Sequence, residues 1–89
     1  MTPSERKLLK GRAHKLEPVV LIGAKGLTAE VVAEVELALK AHELIKVRAP
    51  VLERKDRSNA FKELSVRTGS ELVQEIGKVA VLFRKKLDD

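Results

Sequence analysis

Two glycines three residues apart flank a lysine in Gly23-Ala24-Lys25-Gly26, between an apolar run and the start of a helical pattern. Glycine lets a ligand approach the backbone closely because no Cβ stands in the way. A loop that leaves a strand and enters a helix presents free amides, and the helix amino end adds partial positive charge. Lys25 adds a full charge. The chemistry this favours is a grip on phosphate. Gly-x-x-Gly is the minimal device with which the KH module clamps a nucleic-acid backbone, and an ordinary tight turn is the other reading of the same four residues. Neither the Gly-x4-Gly-Lys-Ser/Thr loop nor the Gly-x-Gly-x-x-Gly fingerprint occurs in the chain.

A second basic group precedes the loop. Residues 1–26 hold six basic against two acidic residues, whereas residues 27–43 hold Lys40 against Glu30, Glu34, Glu36 and Glu43. On a helical wheel Leu8, Leu9, Ala13 and Leu16 share one side, and Arg6, Lys7, Lys10 and His14 the opposite side, with Lys15 near its edge. Arg12 falls inside the apolar arc, so it must snorkel outward or reach a ligand. A solvated helix face accounts for such charges equally well. Their closeness in sequence to the Gly23–Gly26 loop favours a surface for a polyanion.

The elements that must position these groups follow from pattern. Thr2-Pro3-Ser4-Glu5 is a helix start with a capping box, and the helix runs to about His14, ending before Pro18. Val19-Val20-Leu21-Ile22 reads as a strand buried on both faces. A helix follows from a Thr28 cap to about His42, with Val31, Val35 and Leu39 inward and its glutamates exposed. Leu44 to Arg48 is a strand that turns Lys46 and Arg48 to one wetter face. Residues 54–67 form a helix closed by Gly69, with Phe61 and Leu64 inward. Residues 71–76 fit a helix or a strand. The turn at Gly77-Lys78 before the strand Val79–Phe83 favours a hairpin. The order is α-β-α-β-α-β-β in an α/β single domain over residues 1–89, with a mixed sheet whose first and fourth strands are central and helices on both sides.

Composition excludes several classes. The chain has 89 residues, 18 basic against 13 acidic, a net charge of +5, and a sequence pI near 9.8. That suits a polyanionic partner. Two phenylalanines, no tyrosine and no tryptophan leave few rings for base stacking, so contact must use charge, backbone amides and shape. Without cysteine there is no disulfide and no thiolate metal site. His14 and His42 stand alone, each at a helix end, and Glu34, Glu36, Asp88 and Asp89 read as surface charge. No residue set supports catalysis, a metal or another cofactor. No apolar run is long enough to span a membrane, and the amino end lacks a signal-peptide core. The expectation is a cytoplasmic, non-enzymatic monomer, because no strand or helix leaves an obvious spare apolar face.

The whole chain resembles the YhbY-like CRM (chloroplast RNA splicing and ribosome maturation) domain. The stretches LKGRAHKLEPVVLIGAKGLT (9–28), HELIKV (42–47) and VRTGSELVQEIGKVAVLFR (66–84) carry the likeness, with the acidic helix between. The resemblance implies a mixed four-stranded sheet packed with α-helices, similar to the C-terminal domain of translation initiation factor three. It implies RNA binding and association with precursors of the large ribosomal subunit. By position it makes Gly23, Ala24, Lys25 and Gly26 the family's loop, with Lys7, Lys10, Arg12, His14, Lys15 and Lys46 as further RNA-binding residues. Ribosomal proteins are further partners it suggests, and docking on one of them or on an assembly factor through the acidic helix is the alternative to RNA contact. The end, Lys85-Lys86-Leu87-Asp88-Asp89, carries no long basic tail. The KH loop joins two helices, so base readout in a KH-type groove does not follow.

Overall fold

The computed structural model describes residues 1–86. Seven elements follow in the expected order: α1 (Pro3–Ala13), β1 (Pro18–Leu21), α2 (Ala29–His42), β2 (Leu44–Arg48), α3 (Arg54–Thr68), β3 (Glu71–Ile76) and β4 (Val79–Phe83). The readings of Asp88 and Asp89 as surface charge, and of the chain end, extend outside the described residues. Local chemistry sets the helix ends. The Thr2 hydroxyl accepts from the Glu5 amide at 3.1 Å, and the Thr28 hydroxyl from the Val31 amide at 3.2 Å. Each satisfies an amide that has no partner within its helix. Gly69 closes α3 at φ 63, in the left-handed region that glycine enters without a Cβ clash. Gly77 at φ 57 turns the chain between β3 and β4, so residues 71–76 form a strand.

The strand order is β1-β2-β4-β3, with β1 parallel to β2 and the other two pairs antiparallel. Beta four is central, as expected. Beta one is not; it forms one edge. Val20 and Ile22 are buried while Val19 and Leu21 are exposed, so the apolar run is buried on one face only. Four consecutive apolar residues permit two-sided burial, but a second layer must be present to supply it. Among the described residues no helix covers Leu21.

Alpha two and α3 seal one face of the sheet. Their core joins Val35, Leu39, Phe61 and Leu64 to Val20, Ile22, Ile45, Val47 and Leu82 of the strands. Alpha one lies on the other face and makes a smaller cluster, in which Leu9 and Ala13 meet Leu44, Val73, Val81 and Phe83. Helix α1 departs from its wheel in two places. Leu8 is exposed and Leu16 borders solvent, so the apolar arc is only half used. Arg6, expected on the solvent side, instead donates from one guanidinium nitrogen to the carbonyls of Leu72 (3.1 Å) and Val73 (2.7 Å). The β3–β4 register slips between Leu72 and Gln74, and a bulge leaves carbonyls that need a donor. One acidic residue of α2 also departs from expectation. Glu36 is half-buried and pairs with Arg84 at 2.9 Å, while Glu30 and Glu34 stay exposed.

Candidate nucleic-acid interface

Residues directly opposite in an antiparallel ladder share a face. Lys46 stands opposite Val81, which stands opposite Gln74. Arg48 stands opposite Val79, which stands opposite Ile76. Leu21 lies beside Arg48 on β1. These two rows belong to the α1 face of the sheet. Alpha one packs on Leu44, Phe83, Val73 and Val81, and beyond Val81 the face opens: Leu21 is 60% and Ile76 62% exposed. The expectation that no strand leaves a spare apolar face does not hold here.

A groove of about 250 Å³ runs where α1 leaves the sheet, lined by Lys10, Ala13, His14, Pro18, Lys46, Gln74, Ile76, Val79 and Val81. It joins residues from α1, the start of β1 and the other three strands. Three of the expected site residues, Lys10, His14 and Lys46, meet in it. Their side chains arrive by simple geometry. Lys10 and His14 are four apart, one turn along the same helix face, and Lys46 is the outward member of an alternating strand. The lining contains no carboxylate. Among the described residues the ion pairs are Arg67–Glu63 and Arg84–Glu36, so Lys10, Lys46 and the neighbouring Arg48 are free of acidic partners. Unneutralised cations around an apolar floor repel one another, and an anion relieves that repulsion.

The remaining expected residues lie elsewhere. Lys7, Arg12 and Lys15 border a shallow depression on the outer side of α1 with Ser4, Leu8, Gly11 and Leu16. Arg12 is exposed, so it does snorkel out of the apolar arc. Gly23, Ala24, Lys25 and Gly26 leave the sheet beyond Leu21, at the end where the β3–β4 turn also lies. The Ile22 amide donates to the Arg48 carbonyl and the Ala49 amide to the Lys78 carbonyl, both at 2.8 Å. Lys25, Arg48 and Lys78 therefore belong to one end of the sheet. The concave side of the loop turns toward α3, where Asp56 and Glu63 join Ala24, Lys25 and Gly26 around a second hollow. The loop and the basic helix thus line separate concavities.

The loop is a real turn as well as a candidate clamp. The Gly26 amide donates to the Gly23 carbonyl at 3.0 Å, and the Thr28 amide to the Gly26 carbonyl at 3.1 Å. The amides of Ala24, Lys25 and Leu27 donate to no other described residue. Gly26 sits at φ 72, a conformation that demands glycine. Gly23 does not: its φ is not in that region, and a Cβ there would meet open space. The turn explains Gly26, while nothing within the fold requires glycine at 23.

Sequence reasoning missed Arg48, Gln74 and Lys78 as site residues. Arg48 was within reach, since it alternates with Lys46 on β2. Gln74 was hidden because the register slip in β3 breaks the period that assigns residues to faces. Only pairing with β4 brings it beside Lys46.

The family model for the CRS1 / YhbY (CRM) domain matches residues 1–84. The chain is 45% identical over 85 residues to a probable RNA-binding protein of Pseudomonas aeruginosa, covering 96% of this chain and 82% of that one. It is 40% identical over 84 residues to an RNA-binding protein of Haemophilus influenzae, covering 94% and 85%. The solution structure of a hypothetical protein of Staphylococcus aureus superposes with a TM-score of 0.86 at 30% identity, over 100% of this chain and 93% of that one.

Proposed function

The chain belongs to the CRS1/YhbY (CRM) domain family, and from that premise we propose that it is a non-catalytic RNA-binding protein that assists assembly of the large ribosomal subunit in the cytoplasm. The names of its relatives support RNA as the ligand. The observation that carries the reading is the convergence of Lys10, His14 and Lys46 in a groove that contains no carboxylate. Phosphates of the RNA backbone occupy the rim of this groove. Arg48 extends the positive row toward the end of the sheet, where Lys25, Lys78 and the free amides of Ala24 and Lys25 hold the next stretch of backbone. Lys7, Arg12 and Lys15 on the outer side of α1 contribute longer-range attraction.

Binding of ribosomal RNA fragments across a salt series tests the RNA contact. Each phosphate contact releases condensed counterions, so replacing Lys10, Lys46 or Lys25 by alanine should lower the slope of log K against log salt by about one. An unchanged slope removes that residue from the interface. Co-sedimentation with precursor subunits, with and without nuclease, tests the ribosomal assignment. Alpha two offers a second reading, since it exposes Leu37 beside Glu30 and Glu34. Sedimentation that survives nuclease and fails on Leu37→Glu would move the contact to a protein partner.

A further inference from the structure

A phosphate gains nothing from an apolar floor, yet the groove between α1 and the sheet has one. Its base is aliphatic, made by Ala13, Pro18, Ile76, Val79 and Val81, and its polar groups are Lys10, His14, Lys46 and Gln74. Desolvating an anion against such a floor is costly unless something apolar shares the site. At about 250 Å³ the groove lies just below the usual range for drug-sized ligands, roughly 300–1,000 Å³, and suits one planar heterocycle. A flat apolar ring with an anion attached to it is a nucleotide.

Gln74 adds a second observation. The residue is half-buried in the groove lining, and its side-chain amide makes no hydrogen bond to any other described residue. A primary amide offers two donors and an acceptor side by side, and that pair matches the adjacent donor and acceptor on a base edge. Its nearest polar neighbour across β4 is Lys46, likewise without an acidic partner.

On the reading that this face binds RNA, we infer that the groove holds a single unstacked nucleobase, seated on Pro18, Ile76 and Val79 and read at its edge by Gln74. Lys10, His14 and Lys46 hold the phosphates on either side of that nucleotide. The chain then recognises a single-stranded or bulged position without an aromatic platform. The aliphatic floor supplies the apolar contact that a ring would otherwise give.

The test uses the full chain and short fluorescent RNA strands: homopolymers of A, U and C, and an abasic strand of equal length. Anisotropy should show the best homopolymer bound at least about 5-fold more tightly than the abasic strand, the lower end of what one good base contact supplies. Gln74→Ala should remove most of that advantage and flatten the differences among bases. Equal binding of base-bearing and abasic strands overturns the inference and leaves the backbone reading standing. Loss of salt-dependent binding to every strand overturns the backbone reading beneath it. The abasic comparison needs no variant, so it holds whether or not Gln74→Ala folds.

Discussion

The two faces of the sheet differ in how completely they are closed. On the α2/α3 face Phe61, Leu64 and Ile22 are fully buried among strand residues, and all but one of the largest fully buried side chains meet there. On the other face one short helix covers only part of the surface and leaves Leu21, Ile76, Lys46 and Arg48 within reach of solvent. Hydrophobic stabilisation scales with apolar area removed from water. The sealed face therefore carries most of the stability, and the open face is free to carry ligand chemistry. Leaving Leu21 and Ile76 exposed forgoes stabilisation that a longer α1 could supply, and exposed apolar side chains set among unpaired cations are a mark of a binding surface.

The strongest way to break this contrast is Phe61→Ala. On a sealed face it should cost about 3–5 kcal/mol, seen as a large shift in the urea midpoint. The counterpart on the open face, Ile76→Ala, should stay within about 0.5 kcal/mol. Similar costs at both positions would show that the open face is closed in solution.

Arg6→Ala probes the join between α1 and the sheet. It removes two charge-assisted hydrogen bonds to β3 carbonyls, and the loss should be about 1–2 kcal/mol in chemical denaturation. A smaller effect would mean that water satisfies the bulge as well as Arg6 does.

The loop glycines give a finer contrast. Gly26→Ala forces a side chain into the left-handed region and should cost about 1 kcal/mol in a thermal melt. Gly23→Ala should leave the melt unchanged and weaken RNA binding, because its Cβ would occupy the space a backbone needs. A loss of stability at Gly23 with no loss of affinity would assign both glycines to the turn.

The smallest stability effects belong to the groove cations. Lys10→Ala and Lys46→Ala should change stability by no more than about 0.5 kcal/mol, and each should lower the salt slope of binding by about one. A slope that moves only on Lys7→Ala or Lys15→Ala would shift the interface to the outer side of α1.

Elements whose period and punctuation agree were legible from sequence. Thr28, the Val31–Val35–Leu39 stripe and Gly69 mark helix ends and faces through forces that act within a few residues. The hairpin at Gly77 was legible for the same reason. Beta one was misplaced because an apolar run states what a strand tolerates, and its neighbours decide what it receives. Arg6 and Glu36 read as surface charge, and both were recruited by partners more than forty residues away. Nothing local signals such a pairing.

The candidate site divides along the same line. The basic character of α1, the glycine turn before α2 and the outward Lys46 are written in residue type and spacing. They follow from short-range rules: helical period, strand alternation and the freedom of glycine. Only the tertiary structure decided that Lys10, His14 and Lys46 share a groove while Lys7, Arg12 and Lys15 do not, that Gln74 joins them, and that the loop turns its hollow toward Asp56 and Glu63. Those outcomes depend on where α1 stops crossing the sheet and on a register slip in β3. The first is settled by packing between segments far apart in the chain, the second by how β3 pairs with β4 across their hairpin.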